Sequence, residues 1–223
     1  MIMILGVDFD NTLACYDGLF HAEAVERGLL SSDAPKNKRG VRDVLRSKGQ
    51  DVDFTRLQGY VYGPGIMKAP VYDGAVAALR DLIARGTTIY IISHKTRFPY
   101  IGPKYDLHDY AYCWLKMRGL YEPGMFSSDH VFLELSKSAK LERIAALGCT
   151  HFIDDLPEFL NDPDFPQGVE RLLFLPCVCK GKEIIHTDFP VFSCWLELLT
   201  HLRQILIGPH IASHKNVDLV TAS

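Results

Sequence analysis

Two pairs of aspartates sit where carboxylates do chemistry more readily than they stabilise a fold. Asp8 and Asp10 follow the apolar run 1–7 (MIMILGV), and Asp154 and Asp155 follow the run 151–153 (HFI). Short continuous apolar runs read as strands buried on both faces, so both pairs are expected at the carboxyl ends of buried strands. Carboxylates placed there can attack an electrophile, exchange protons or hold a hard cation. Acids from two such distant segments can converge, without a lysine between each pair, only if a cation offsets their repulsion. A hydroxyl, Ser93, ends the second apolar run, and Lys137 and Lys140 lie near the start of the helical pattern before residue 151.

The elements that must position these groups alternate. Strand-like runs occupy 1–7, 87–92 (TTIYII), 131–133 (VFL), 151–153 and 172–175 (LLFL). Between them lie helical patterns at 74–84, 107–117 and 140–147, the last ended by Gly148. Alternating strands and helices predict an α/β fold, a Rossmann-like parallel sheet with helices on both faces. The interval from Asp17 to Tyr72 is too long for a simple crossover and carries helical patterns of its own at 20–29, 38–48 and 53–61. It is expected to be a small helical cap inserted after the first strand, over the strand ends where ligands of open α/β sheets bind. The domain reading is therefore a core of 1–16 and 73–208, a cap of 17–72 and a polar, frayed tail of 209–223. Asp17-Gly18 and Gly63-Pro64-Gly65 supply glycines at hinge positions.

The chain has 223 residues, 48% of them hydrophobic and 23% charged, with a formal charge of -3. That is the composition of a globular protein, and it argues against a dedicated nucleic-acid binder, which would carry a basic surplus. No apolar run approaches the roughly 18–20 residues that span a bilayer, and the N-terminal run has no basic leader, so neither a membrane span nor a signal peptide is expected. Six scattered cysteines suit free thiols in the cytoplasm better than a disulfide framework. Cys177-x-Cys179 lacks a second pair at zinc-finger spacing, and His186, His201, His210 and His214 are dispersed, so no metal site is expected there. The oligomeric state is left open, a homodimer being one option.

The sequence Asp8-Phe9-Asp10-Asn11-Thr12 resembles the opening motif, D-x-D-x-T, of the haloacid dehalogenase-like (HAD) hydrolases, a superfamily of aspartyl-phosphate phosphatases. Ser93, a lysine at 137 or 140, and Asp154-Asp155 resemble its second, third and fourth motifs, in order. His94-Lys95-Thr96-Arg97, with Gly102 to His108 and Leu57 to Gly63, looks like one bacterial subgroup, a resemblance that carries no substrate. The insertion after the first strand matches that superfamily's C1-type cap.

The resemblance implies a Mg²⁺-dependent phosphatase acting on a small phosphorylated metabolite. Asp8 would be the nucleophile and Asp10 the general acid and base. Ser93 and Lys140, rather than Lys137, would bind phosphoryl oxygens, with Asn11, His94 and Lys95 as further substrate contacts. Mg²⁺ would be held by Asp8, Asp10 through its backbone carbonyl, and Asp155, with Asp154 beside it. Phosphoryl transfer to another hydroxyl and a non-catalytic binding or regulatory role are the alternatives. A dehalogenase would lack the second aspartate, and a receiver-type signalling domain would lack the cap.

Structural roles compete for some residues. Ser93 and Thr96 could cap a following helix, and Glu158 suits a helix's first turn. The basic segment Lys36, Lys38, Arg39, Arg42, Arg46 and Lys48 suits an anionic substrate, yet a solvated helix face is the favoured reading. Tyr62, Tyr100, Tyr105 and His108 could stack on a sugar or base, and packing is again the commoner role.

Overall fold

The computed structural model describes residues 2–176 and 187–208. The expectations for Cys177, Cys179, His186, His210, His214 and the tail from 209 lie outside them. Six strands form one parallel sheet: β1 (Ile4–Val7), β2 (Thr88–His94), β3 (Val131–Glu134), β4 (His151–Asp154), β5 (Glu170–Phe174) and β6 (Val191–Phe192). Their spatial order is β3-β2-β1-β4-β5-β6. The chain therefore winds outward from β1 in both directions, and the crevice at the carboxyl end of such a reversal is where ligands of open α/β sheets bind.

Strand residues alternate between two buried layers. Leu5, Val7, Ile89, Ile91, Ile153, Leu172 and Phe174 belong to one apolar cluster, Ile92, Phe152 and Leu173 to the other. The first layer is completed by α4 (Ala75–Ala84), α5 (Leu107–Met117) and α8 (Trp195–Ile207), the second by α6 (Lys137–Ala146) and the short α7 (Pro157–Leu160). Burial on both faces explains why these strands read as continuous apolar runs. β6 and α8 have no counterpart among the sequence patterns above; a two-residue strand has no detectable period. Asp81 of α4 accepts two hydrogen bonds from Arg203 of α8, at 2.9 and 2.6 Å, which ties the last helix to the first layer.

Three helices separate β1 from α4: α1 (Leu19–Glu26), α2 (Lys38–Ser47) and α3 (Asp51–Tyr62), followed by a 3₁₀ turn at Pro64–Lys68. Asn37 caps α2 by accepting from the Gly40 amide at 2.7 Å, and Val41 and Leu45 bury its apolar face. This helical insertion has no core of its own. Phe20, Val41, Leu45, Leu57 and Val61 join the cluster that contains Leu5 and Val7.

The two glycine segments expected as hinges differ. Gly18 adopts φ 75° with open space around it, a backbone that favours glycine. Gly63 and Gly65 are packed instead: an added Cβ would stand 2.9 Å from the Gly59 carbonyl oxygen and 2.9 Å from the Tyr60 carbonyl oxygen. Both glycines allow close packing at this junction.

Gly6 is a tightly packed point of the sheet. It faces Phe152 across the β1–β4 register, and a Cβ there would lie 2.3 Å from that ring. Phe152 is fully buried between Phe159 and Phe165 and has nowhere to go. Gly6→Ala should therefore destabilise the fold by about 1–3 kcal/mol, the usual cost of overpacking, read as a lower urea midpoint. An unchanged midpoint would mean that the β1–β4 contact is looser than described.

Candidate active site

The carboxyl ends of β1 and β4 deliver the two acid pairs. Asp8 extends β1 by one residue, its amide donating to the Ile153 carbonyl at 2.9 Å. The chain then turns sharply. The amides of Leu13 and Ala14 both donate to the Phe9 carbonyl, at 3.0 Å each, and Asn11 takes φ 59°, a left-handed backbone that asparagine tolerates better than most residues. Phe9 packs edge-on against Trp114, with ring centroids 5.3 Å apart, and the Trp195 indole donates to the Thr12 carbonyl at 3.0 Å. The turn is thus held by two buried tryptophans while its aspartates are left at the cavity.

Asp8, Asp154 and Asp155 come together: one carboxylate oxygen from each lies within 4.8 Å of the others. Lys140 sits among them, its ammonium donating to Asp8 and to Asp154 at 2.6 Å each, and its charge lies 4.1 Å from the centre of the Phe159 ring. Lys140 thus offsets part of the repulsion that was expected to need a cation. Ser136 caps α6 by accepting from the Ala139 amide at 3.1 Å, and this start places Lys140 one turn in, facing the strand ends. Lys137 lines the cavity wall but pairs with Asp162.

Burial is the largest influence on Asp8. It pushes the carboxyl up to about 7, Asp154 and Asp10 add to the rise, and Lys140 opposes it. Asp155 is raised well above the usual carboxylate range by burial, then by Asp154 and Asp8, while Lys140 and a hydrogen bond from Asn11 oppose the rise. Burial alone would lower Lys140, but Asp154 and Asp8 outweigh it and hold the ammonium above its ordinary value. With all three acids ionised, one ammonium leaves the cluster strongly negative. Such an all-oxygen donor set fits a hard divalent cation, which would relieve that repulsion.

The Asp10 carboxylate stands outside this three-acid group. It accepts from Lys95 at 2.9 and 2.8 Å and from the Tyr16 hydroxyl at 2.6 Å. Lys95 is buried over the Phe9 and Tyr62 rings, 5.2 and 4.9 Å from their centres, and its carbonyl is bonded to the His108 ring at 2.8 Å. His108 thus positions a lysine, and Tyr105 packs on Tyr60 and Tyr110. Nothing in the pattern around His94-Lys95 signalled the pairing with Asp10, because the partners lie 85 residues apart.

A cavity of about 410 Å³ opens over these groups, lined by Asp8, Asp10, Asn11, Ser93, Lys140 and Asp155 below and by Lys38, Thr55, Gln58 and Tyr62 of the insertion above. Ser93 is buried and His94 exposed at the end of β2, and both line the cavity with Thr96, Tyr100 and Glu158. Thr96 caps no helix; Asp106 caps α5, accepting from the His108 and Asp109 amides at 3.1 Å each. Of the basic segment, Lys38 alone lines the cavity. Arg42 and Arg46 pair with Asp43 and Asp51 near solvent.

No protein-family model matches the chain, and no curated relative matches it. Solved structures do. A HAD-family hydrolase from Deinococcus radiodurans with bound phosphate and sodium is 17% identical, with a TM-score of 0.55 over 90% of this chain and 95% of that one. A HAD hydrolase of Bacillus subtilis bound to magnesium, described as revealing interdomain movement, is 15% identical, with a TM-score of 0.55 over 91% and 99%. A dehalogenase is 12% identical, with a TM-score of 0.56 over 91% and 98%. The chain has the HAD-like fold, a Rossmann-like parallel sheet with a helical insertion after its first strand. No helix among the described residues is long and apolar enough to cross a membrane.

The two lysines near the start of α6 should behave differently. Lys140→Met leaves buried carboxylates without their counter-charge and should cost about 3–5 kcal/mol of stability in metal-free buffer. Lys137→Met, which breaks a pair near solvent, should stay within about 1 kcal/mol. Urea unfolding of both variants measures the difference; equal losses would contradict the placement of Lys140.

Proposed function

We propose that this protein is a Mg²⁺-dependent phosphatase that hydrolyses a phosphomonoester of a small metabolite through an aspartyl-phosphate on Asp8. The observation that carries the reading is the cluster of Asp8, Asp154 and Asp155 around Lys140, with Asp10 alongside. Phosphate and magnesium bound in two structures of the same fold support it.

Mg²⁺, held by Asp8, Asp155, Asp154 and the Asp10 backbone carbonyl, would offset the charge of the incoming phosphate and keep Asp8 ionised. The chain's own groups do the rest. An Asp8 carboxylate oxygen attacks phosphorus as the ester oxygen leaves, and Asp10 gives that oxygen its proton. Asp10 then takes a proton from water, which attacks phosphorus and frees Asp8 and inorganic phosphate. Lys140 and the Ser93 hydroxyl bind phosphoryl oxygens, Asn11 orients Asp155, and Lys95 with Tyr16 fixes the direction in which Asp10 faces.

The insertion acts as a cap that limits water at the site. Its contact with the loop after β2 is close, since a Cβ on Gly59 would stand 2.7 Å from Pro99. Free thiols at Cys15, Cys113, Cys149 and Cys194 support a cytoplasmic setting. Hydrolysis is preferred over dehalogenation because a dehalogenase has no use for a second acid at position 10.

Asp8→Asn should abolish phosphate release from p-nitrophenyl phosphate while leaving the fold intact, and Asp10→Asn should slow turnover by roughly 10²–10⁴-fold. Chelator should remove the activity and Mg²⁺ restore it. Turnover by Asp8→Asn at the native rate, or full activity in chelator, would refute the assignment.

A further inference from the structure

Lys38 stands apart from the cavity's other lysines. Lys95 is paired with Asp10, Lys137 with Asp162, and Lys140 with Asp8 and Asp154. Among the described residues, no carboxylate lies within ion-pair distance of Lys38. Its ammonium donates to the neutral Tyr62 hydroxyl at 2.6 Å and lies over the Tyr62 and Phe20 rings, 5.1 and 5.6 Å from their centres.

The fold gains little from a cation there. Lys38 opens α2, where the helix dipole favours acids over bases, and the first turn of α2 contains no acid. It is also drawn away from water, whereas Arg39, Arg46 and Lys48 of the same segment are exposed. Tyr62 and the acids Asp10 and Asp155 hold its ammonium above the ordinary lysine range against the opposing effect of burial, so it remains charged. A charged, half-buried lysine that lines a cavity with no carboxylate in direct contact leaves its ammonium open to an anion. Thr55 and Gln58, on the same wall, add side chains able to hydrogen-bond.

Resting on the phosphatase reading, we propose that Lys38, with Tyr62, binds a second anionic group of the substrate, so that the preferred phosphomonoester also carries a carboxylate or a second phosphate. The transferred phosphoryl group would lie at Asp8 and Lys140 on the sheet, and the second anion would reach the insertion.

Three probes of equal chain length test this in the presence of Mg²⁺: propyl phosphate, 3-(phosphonooxy)propionate (the phosphate ester of 3-hydroxypropionate) and 1,3-propanediol bisphosphate. The native protein should favour at least one doubly anionic probe over propyl phosphate by about 10- to 100-fold in kcat/KM, the worth of a charge-assisted hydrogen bond. Lys38→Met should collapse that ratio to near one, mainly through KM, and Lys38→Arg should restore most of it. Which probe responds separates carboxylate from phosphate. A ratio unchanged in Lys38→Met, no preference in the native protein, or an equal fall on all three probes would overturn the subsite; the last would make Lys38 a counter-charge for the acid cluster. Absence of turnover on every probe would overturn the phosphatase reading itself, and this inference with it.

Discussion

Three carboxylates held against one buried lysine are the constraint on which the rest of the site depends. Asp8, Asp154 and Asp155 repel one another, and burial strengthens the repulsion by removing water. The fold tolerates the cluster because Lys140 bridges Asp8 and Asp154 at 2.6 Å and because their positions leave them little choice. Asp8 directly follows β1 and Asp154 ends β4, and neither can move without disturbing the β1–β4 pairing. The residual negative charge is a latent affinity for a cation, and in the proposed chemistry that cation also draws the phosphate in.

Positioning is shared among elements far apart in sequence. β1 and β4 fix Asp8 and Asp154 through the sheet register, Gly6 lets Phe152 pack beneath them, and Trp114 and Trp195 brace the turn that carries Asp10. The helical insertion reaches the same place from above. Tyr62 is the link: its ring stacks edge-on with Tyr16 at 4.9 Å and covers Lys95, and its hydroxyl receives Lys38. Tyr16 and Lys95 in turn hold Asp10. A shift of the insertion would therefore be felt at Asp10 through packed side chains.

The features legible in the sequence were those written in local patterns. Buried parallel strands show as apolar runs, so β1, β2, β3, β4 and β5 were visible to within a few residues, and α5 was placed at its observed bounds. The acids at strand ends were visible for the same reason. Contacts between distant segments were not. Spacing could not show that Lys95 meets Asp10 across 85 residues, or that Lys140 lies between two of the acids whose repulsion had suggested a cation alone. The basic segment at 36–48 divided along helical geometry: Lys38 turned inward while Arg42 and Arg46 took solvent-side partners. Charge composition could not make that division.

The account turns on a covalent bond between Asp8 and phosphorus, and trapping that bond tests it most directly. Protein mixed with p-nitrophenyl phosphate and Mg²⁺, quenched in acid within milliseconds and digested, should yield a phosphorylated peptide containing Asp8, with the phosphate released by hydroxylamine as an acyl phosphate is. Phosphate release with no covalent adduct at any quench time, or an adduct on Asp10, Asp154 or Asp155 instead, would contradict it.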